Sequence, residues 1–225
     1  IGPWLETATP RKDIADGSFD ESLFAADLGM VARGGGPIDY RDPVAFCEKT
    51  YLSKGLEAVL VELGTRLSGD GSAAGVYRLQ TEFGGGKTHA LVALWHLAKN
   101  TTRIKRLKSC EDVRSALGNL MPQRVKALAV FTNQTCDATQ GRKTPEGVHT
   151  WTMWGELALQ LGGVELYREI EKNDRGRSVP QGLFTKILQR SAPCLILLDE
   201  VADYCVGASA VQVGDTTLAD QTISF

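Results

Sequence analysis

A run of three glycines at positions 84–86 lies between an apolar segment and a helix-forming segment, and this arrangement restricts the fold more than any other feature of the sequence. Residues 76–80 have the composition of a short strand, and 88–99 carry apolar side chains at helical spacing. Consecutive glycines allow positive φ and let the backbone approach a ligand closely. A helix that begins directly after them offers unpaired N–H groups to an anion. The stretch therefore predicts a loop that binds phosphate.

The residues that follow the glycines fit this chemistry. Lys87 would supply a point charge to the β- and γ-phosphates of a nucleotide, and the Thr88 hydroxyl would ligate Mg²⁺. The P-loop pattern GxxxxGK[ST] is matched from its second glycine onward, whereas Thr81 stands in place of its first glycine. A glycine-rich turn with an incidental Lys-Thr is the alternative for this segment taken alone. The predicted nucleotide-binding residues are Gly84, Gly85, Gly86, Lys87, Thr88 and His89.

An acidic pair follows a second strongly apolar segment. Residues 194–198 are continuously apolar, and Asp199 and Glu200 come directly after them. In open α/β sheets, ligands bind at the carboxyl ends of the strands. Asp199 would hold Mg²⁺ through its water shell, and Glu200 would polarise the attacking water. A solvated acidic pair that merely ends a strand is the alternative. The presence of a predicted phosphate loop in the same chain disfavours this alternative.

A further apolar segment, residues 127–132, is followed by Asn133. Strands that are apolar on both faces and separated by helices indicate a parallel sheet that is covered on both sides. An Asp-Glu pair, with such a further strand between the glycine loop and the acidic strand, is typical of AAA-like P-loop proteins. The sequence thus predicts an α/β fold of the P-loop NTPase class, with an AAA-like three-layer sheet and an incomplete core. Asn133 either hydrogen-bonds Glu200 and gates it according to ligand state, or simply ends the strand as a turn residue.

Two regions are predicted along the chain. Residues 1–68 form a helical N-terminal segment, and residues 69–225 form the ATPase core, which stops after the acidic strand. Within the first region, a short helix is expected over 19–28. A longer helix should begin at Asp42, because Asp is a good N-cap and Pro is favoured directly after it, and should break near Gly55.

The composition excludes several classes of protein. The hydrophobic fraction of 43% and charged fraction of 23% are those of a globular chain. A net charge of −2 is not that of a polycation that coats nucleic acid, and no apolar run approaches the roughly 20 residues that span a bilayer. The five cysteines show no CxxC motif, so we expect reduced thiols in a cytoplasmic protein.

The chain resembles, over nearly its whole length, the bacterial and archaeal predicted ATPases grouped as domain of unknown function 499. The resemblance implies an AAA-like core that binds ATP and Mg²⁺ and hydrolyses ATP within a longer protein. It also implies service in a DNA modification or phage-defence assembly, where contact with DNA would be indirect. The residues that carry the resemblance are 10–13, 24–28, 79–89, 152–156, 160–163 and 195–200.

Two function classes stay open at this point. One is an ATP-hydrolysing motor or switch that works as a homo-oligomer or in a multi-protein assembly. The other is a nucleotide-gated scaffold with little turnover. Glu200 favours the first, because a scaffold has no need of a carboxylate that activates water. The strands that would carry the sensor, arginine finger and lid are absent from the 225 residues, so we expect little hydrolysis by this chain alone.

Overall fold

The computed structural model describes residues 8–10, 12–17, 26–70, 73–80, 86–122 and 125–225. Its helices are α1 (Lys12–Ala15), α2 (Leu28–Ala32), α3 (Ile38–Arg41), α4 (Pro43–Lys49), α5 (Lys54–Leu67), α6 (Lys87–Lys99), α7 (Thr101–Ile104), α8 (Glu111–Leu117), α9 (Met153–Arg168), α10 (Glu171–Arg175), α11 (Gly182–Ser191), α12 (Val201–Ala208) and α13 (Leu218–Ser224). Its strands are β1 (Ala127–Phe131), β2 (Arg142–Lys143), β3 (His149–Thr150), β4 (Cys194–Leu198), β5 (Gln212–Val213) and β6 (Thr216–Thr217).

The central element is a parallel pair of strands. β1 and β4 run side by side in register from Ala127 opposite Cys194 to Phe131 opposite Leu198. Because successive side chains of a strand point to opposite faces, Phe131 joins one hydrophobic cluster and its neighbour Val130 joins another. Both faces of the pair are therefore covered. The chain is an α/β protein with a small parallel sheet and many helices, as the apolar segments predict.

The two hydrophobic clusters contain different helices. One cluster packs α9 and α11 on the sheet through side chains such as Leu157 and Ile187. The other joins the N-terminal helices to α6 through Leu28, Leu60 and Leu97. This second cluster extends across the predicted boundary between residues 68 and 69, so the N-terminal helices and α6 share one core. The division into two regions at that boundary stays a prediction.

The start of α4 and the break before α5 follow the sequence signals. The Asp42 side chain accepts hydrogen bonds from the backbone N–H groups of Val44 and Ala45, at 2.9 and 3.1 Å, and Pro43 occupies the first turn. α4 ends at Lys49 and α5 begins at Lys54. The predicted start of the helix is confirmed. Its interruption lies at 50–53, before Gly55, which is itself helical; the Ser53 side chain caps the new helix by accepting the Leu56 N–H at 3.3 Å.

The predicted helix over 19–28 is wrong at its C-terminal end. Ala26 and Asp27 are not helical, and α2 begins only at Leu28. The reason is a cap, because the Asp27 carboxylate accepts the Met30 N–H at 2.8 Å, which starts a new helix at this point. Residues 19–25 lie outside the described residues.

Residues 76–80, predicted to be a strand, form none. A strand requires a neighbour that supplies ladder hydrogen bonds, and no described residue pairs with this segment. The Val76 side chain is 89% exposed. The Tyr77 hydroxyl instead bonds Glu62 of α5 at 3.2 Å, and Leu79 packs at the margin of the N-terminal cluster. The segment that leads to the glycine loop therefore lies against α5 and not in the sheet.

The expectation that all cysteines are reduced is wrong for two of them. Cys47 of α4 and Cys110, which directly precedes α8, form a disulfide bond across 63 residues of sequence, with their Cα atoms 5.4 Å apart. The pairing follows from the packing of α4 against the 3₁₀ turn at 108–110, which no local spacing reveals. Cys136, Cys194 and Cys205 are free thiols.

Helix α9 is the longest in the described part and has 16 residues. Gly162 and Gly163 interrupt it with φ of −153° and 66°, so it consists of two helical parts joined at a kink. None of the helices in the described ranges has the length and apolarity needed to cross a bilayer.

Two buried carboxylates, those of Asp174 and Glu156, accept hydrogen bonds from residues in and around α9. Asp174 is fully buried and accepts hydrogen bonds from the Thr152 hydroxyl at 2.5 Å and the Tyr167 hydroxyl at 2.8 Å. Glu156, also fully buried, accepts two from the Arg142 guanidinium at 2.7 and 2.6 Å. Because an unpaired buried charge is costly, these partners are a condition for burying the acids. Gly155 lies directly against the Asp174 carboxylate.

We predict that Gly155→Ala destabilises the fold. Its Cβ would collide with the Asp174 carboxylate, which its hydrogen bonds hold in place, so the free energy of unfolding should fall by about 1–3 kcal/mol. Gly55→Ala is the matched control, because a Cβ at Gly55 meets nothing within 4 Å. The control should leave stability unchanged or raise it by up to about 1 kcal/mol. Urea denaturation of both variants measures the difference, and equal midpoints would contradict the predicted clash.

Candidate functional site

A hydrogen bond joins the two predicted Mg²⁺ ligands. The Thr88 hydroxyl in the first turn of α6 donates to Asp199 Oδ2 at 2.8 Å, across 111 residues of sequence. Asp199 reaches this position because its N–H extends the parallel ladder and donates to the Phe131 carbonyl at 2.9 Å. The N-terminus of α6 and the carboxyl ends of β1 and β4 therefore meet at one place, as the sequence predicts.

Gly86 supplies the turn into α6. Its φ of 76° and ψ of 20° lie in the left-handed region, which glycine enters without steric cost, and its carbonyl accepts the Ala90 N–H at 2.9 Å. Lys87 and Thr88 follow as the first helical residues, in the turn whose backbone N–H groups point out of the helix end. The predicted residues Gly84 and Gly85 lie outside the described residues, and their contact with a nucleotide stays a prediction.

Glu200 lies at the N-cap of α12 with a left-handed backbone, φ 54° and ψ 31°. Its N–H donates to Asp199 Oδ1 at 3.1 Å, so the two neighbouring acids share one short turn. Desolvation of the carboxyl, together with the charges of Asp199, Asp203 and Asp27, raises the pKa of Glu200. A carboxylate with a raised pKa is a better proton acceptor near neutral pH.

Asn133 stands two residues beyond the end of β1, at the same edge of the sheet as Asp199. Its Oδ1 is buried and has no hydrogen-bond partner among the described residues. The predicted hydrogen bond between Asn133 and Glu200 is not formed in this structure, and the gating role of Asn133 stays a prediction. The adjacent turn is instead closed by Thr135, whose hydroxyl accepts the Thr132 N–H at 2.8 Å.

His89, a predicted nucleotide-binding residue, contacts the N-terminal helices. Its Nε2 lies 3.1 Å from the Thr50 hydroxyl, and its ring stacks on Phe46 with centroids 4.8 Å apart. Tyr40 meets the same ring edge-on at 6.1 Å. Burial among these groups lowers the pKa of His89. The ring thus connects the first turn of α6 to α4, and its contact with a nucleotide stays a prediction.

Four residues near this edge of the sheet were not predicted from the sequence to belong to the site: Asp27, Gly29, Arg33 and Thr132. A Cβ built on Gly29 would lie 3.0 Å from Thr132 Oγ1, 3.2 Å from Asp27 Oδ1 and 3.3 Å from Arg33 Nη1. Helix α2 therefore packs closely on the end of β1 and carries an acid and a cation to it. The capping pattern at Asp27 is visible in the sequence, but nothing in its spacing relates it to Glu200.

The arrangement fits a cation whose other ligands come from a bound substrate. Within the described ranges, no three His, Cys, Asp or Glu side chains are grouped to hold a metal ion. Protein sites for Mg²⁺ commonly provide one or two oxygen ligands, and water and phosphate oxygens supply the remainder. The Thr88 hydroxyl and the Asp199 carboxylate are such a pair, and they could turn from each other to a shared cation.

The buried ring of His89 predicts a pH effect on stability. Because burial lowers the pKa of His89 in the folded protein, the unfolded chain binds a proton that the folded chain does not as pH falls below about 6.5. Stability carried by the neutral ring is therefore present above that pH and lost below it. Denaturation at pH 7.5 and 5.5 should show a larger loss in wild type than in His89→Gln.

The comparison between these two proteins isolates His89. Asp174 and Glu200, whose pKa values are raised, titrate in the same way in wild type and variant and cancel in the difference. Identical pH dependence in the two proteins would contradict the effect assigned to His89.

Comparison with known proteins identifies a family. The family model described as "DUF499 N-terminal domain" matches residues 5–225. Searches of curated proteins and of solved structures returned no match. A match over residues 5–225 covers nearly the whole chain and includes both the glycine loop and the acidic pair. The chain therefore belongs to the DUF499 family and corresponds to its N-terminal domain.

Proposed function

We propose that this domain binds ATP with Mg²⁺ and hydrolyses the ATP, as a P-loop NTPase with an AAA-like arrangement of its strands. The single observation that carries the proposal is the hydrogen bond of 2.8 Å between Thr88 and Asp199. These two residues come from separate parts of the chain, and each was assigned to Mg²⁺ from its local sequence alone. A chance glycine turn and a chance acidic pair would have no reason to meet.

The N-terminus of α6 provides the phosphate site of this proposal. The left-handed Gly86 opens a helix of 13 residues whose first N–H groups and dipole favour an anion. Lys87, the first residue of that helix, adds a mobile positive charge for the β- and γ-phosphates. Bound Mg²⁺ neutralises phosphate charge and orients the terminal phosphoryl group. Thr88 and Asp199 are the residues that hold it.

Glu200 carries the chemical step. A water attacks the γ-phosphorus and forms a new P–O bond, while the bond to the β-phosphate oxygen breaks and ADP leaves with its electron pair. The Glu200 carboxylate accepts the proton that the attacking water loses, and inorganic phosphate is the second product. Glu200 follows directly on Asp199, whose N–H extends the ladder, and its left-handed backbone begins α12.

One contact favours a second candidate function. His89 follows Thr88 directly and stacks on Phe46 of α4. A movement of Thr88 when nucleotide binds would therefore be passed through His89 to the N-terminal helices. A scaffold that orders partners according to nucleotide occupancy would use this connection without turnover. Both candidate functions are compatible with a role of the domain in a larger assembly that acts on DNA.

We predict that Lys87→Ala weakens binding of ATP·Mg²⁺ at least tenfold. Charge-assisted hydrogen bonds contribute about 1.5–3 kcal/mol, which corresponds to that loss or more. Lys99→Ala is the matched control, because Lys99 is an exposed lysine at the other end of the same helix. Titration calorimetry measures both affinities. Equal affinities in the two variants would show that the glycine loop is not a phosphate site.

The second prediction separates binding from hydrolysis. Glu200→Gln removes the proton acceptor but keeps the shape of the side chain, so ATP should bind normally and be hydrolysed slower by a factor of roughly a hundred or more. Asp215→Asn, a change of an exposed acid between β5 and β6, is the control and should keep the turnover. Phosphate release is measured on the protein at its full natural length, because little hydrolysis is expected of these 225 residues alone. ATP binding without turnover in wild type itself would favour the scaffold.

A further inference from the structure

Helix α2 brings a cation to the edge of the sheet where the acids lie. The Arg33 Nη1 and the Thr132 hydroxyl are both within 3.3 Å of the point that a Cβ of Gly29 would occupy. Thr132 follows Phe131, whose carbonyl accepts the Asp199 N–H at 2.9 Å. Thr132 therefore lies near the Arg33 guanidinium and directly follows Phe131, the residue that is hydrogen-bonded to Asp199. Arg33 and Asp199 are far apart in the chain.

The position of α2 is well determined by packing. Leu28 and Val31 are each only 1% exposed and belong to the cluster that contains α6. Gly29 allows the helix backbone to approach the end of β1 at a distance that a larger residue would prevent. Arg33 is thus held at the C-terminal end of an anchored helix, while its own side chain is exposed.

The acid close to Arg33 is Asp27, whose Oδ1 would lie 3.2 Å from the same Cβ position on Gly29 that is 3.3 Å from Arg33 Nη1. In the part of the chain that the structure describes, the Arg33 guanidinium takes part in no ion pair. Asp27 at the start of the same helix lies near enough to Glu200 for its charge to act on that carboxyl. The helix that carries Arg33 contacts both β1 and α6, the two elements that bring Asp199 and Thr88 together.

Resting on the proposed function, we propose that Arg33 contacts the γ-phosphoryl group of the bound nucleotide and stabilises the charge that develops on it during transfer to water. Lys87 binds the phosphates before the reaction, whereas Arg33 approaches from the N-terminal helices on the side of the Thr132 hydroxyl. A planar guanidinium with several N–H donors suits the equatorial oxygens of a transferring phosphoryl group. The arginine that completes the site would then come from this chain.

The test compares a ground-state ligand with a mimic of the transition state. ADP·Mg²⁺ alone and ADP·Mg²⁺ with aluminium fluoride are titrated into the intact wild-type protein and its Arg33→Ala, Arg33→Lys and Arg41→Ala variants. Aluminium fluoride should tighten ADP binding in wild type and in Arg41→Ala, whose exposed arginine lies on α3. In Arg33→Ala at least about tenfold of that tightening should be lost, while affinity for ADP alone changes little.

The remaining variants decide between the outcomes. Arg33→Lys should retain part of the tightening, because it keeps the charge but not the fork of donors. A thermal melt of each protein shows whether it is folded, and Arg33→Gln replaces Arg33→Ala if the latter is not. Full tightening in a folded Arg33→Ala or Arg33→Gln overturns the role of Arg33 and leaves the nucleotide site intact. Absence of nucleotide binding by wild type overturns both the proposed function and this inference.

Discussion

The parallel register of β1 and β4 is the constraint on which the rest of the structure depends. It carries the ladder to the Asp199 N–H, which donates to the Phe131 carbonyl, and so sets the position of the acidic pair. A slip of one residue would turn every side chain of β4 to the opposite face. Leu197 would then leave the N-terminal cluster, and Asp199 would no longer face the Thr88 hydroxyl. Burial of both faces thus maintains the geometry of the site.

The N-terminal helices pack into the same core as the sheet and α6. They share one hydrophobic cluster with α6, and two of their contacts lie beside the turn at Gly86. The Thr50 hydroxyl and the Phe46 ring hold His89, while α2 carries Arg33 to the end of β1. A helical segment that reads in sequence as an appendage therefore covers one face of the sheet and borders the candidate site.

Local chemistry explains which elements could be predicted. The Asp42 cap and the left-handed Gly86 each depend on a few consecutive residues, and both were predictable from residue type. Residues 76–80 look like a strand by composition, but a strand also requires a partner in space. The disulfide between Cys47 and Cys110 likewise depends on how α4 packs, which a separation of 63 residues does not disclose.

The sequence by itself determined the chemical groups of the candidate site and the elements that carry them: a glycine turn that opens a helix, and two acids that end a buried strand. It could do so because φ preferences, helix capping and apolar periodicity act over a few neighbouring residues. Only the tertiary structure decided that Thr88 meets Asp199, that His89 turns to α4, and that Arg33 lies beside the end of β1. These contacts join distant parts of the chain. They arise when apolar faces of several elements are buried together, and the sequence of one segment does not show which other segments it packs against.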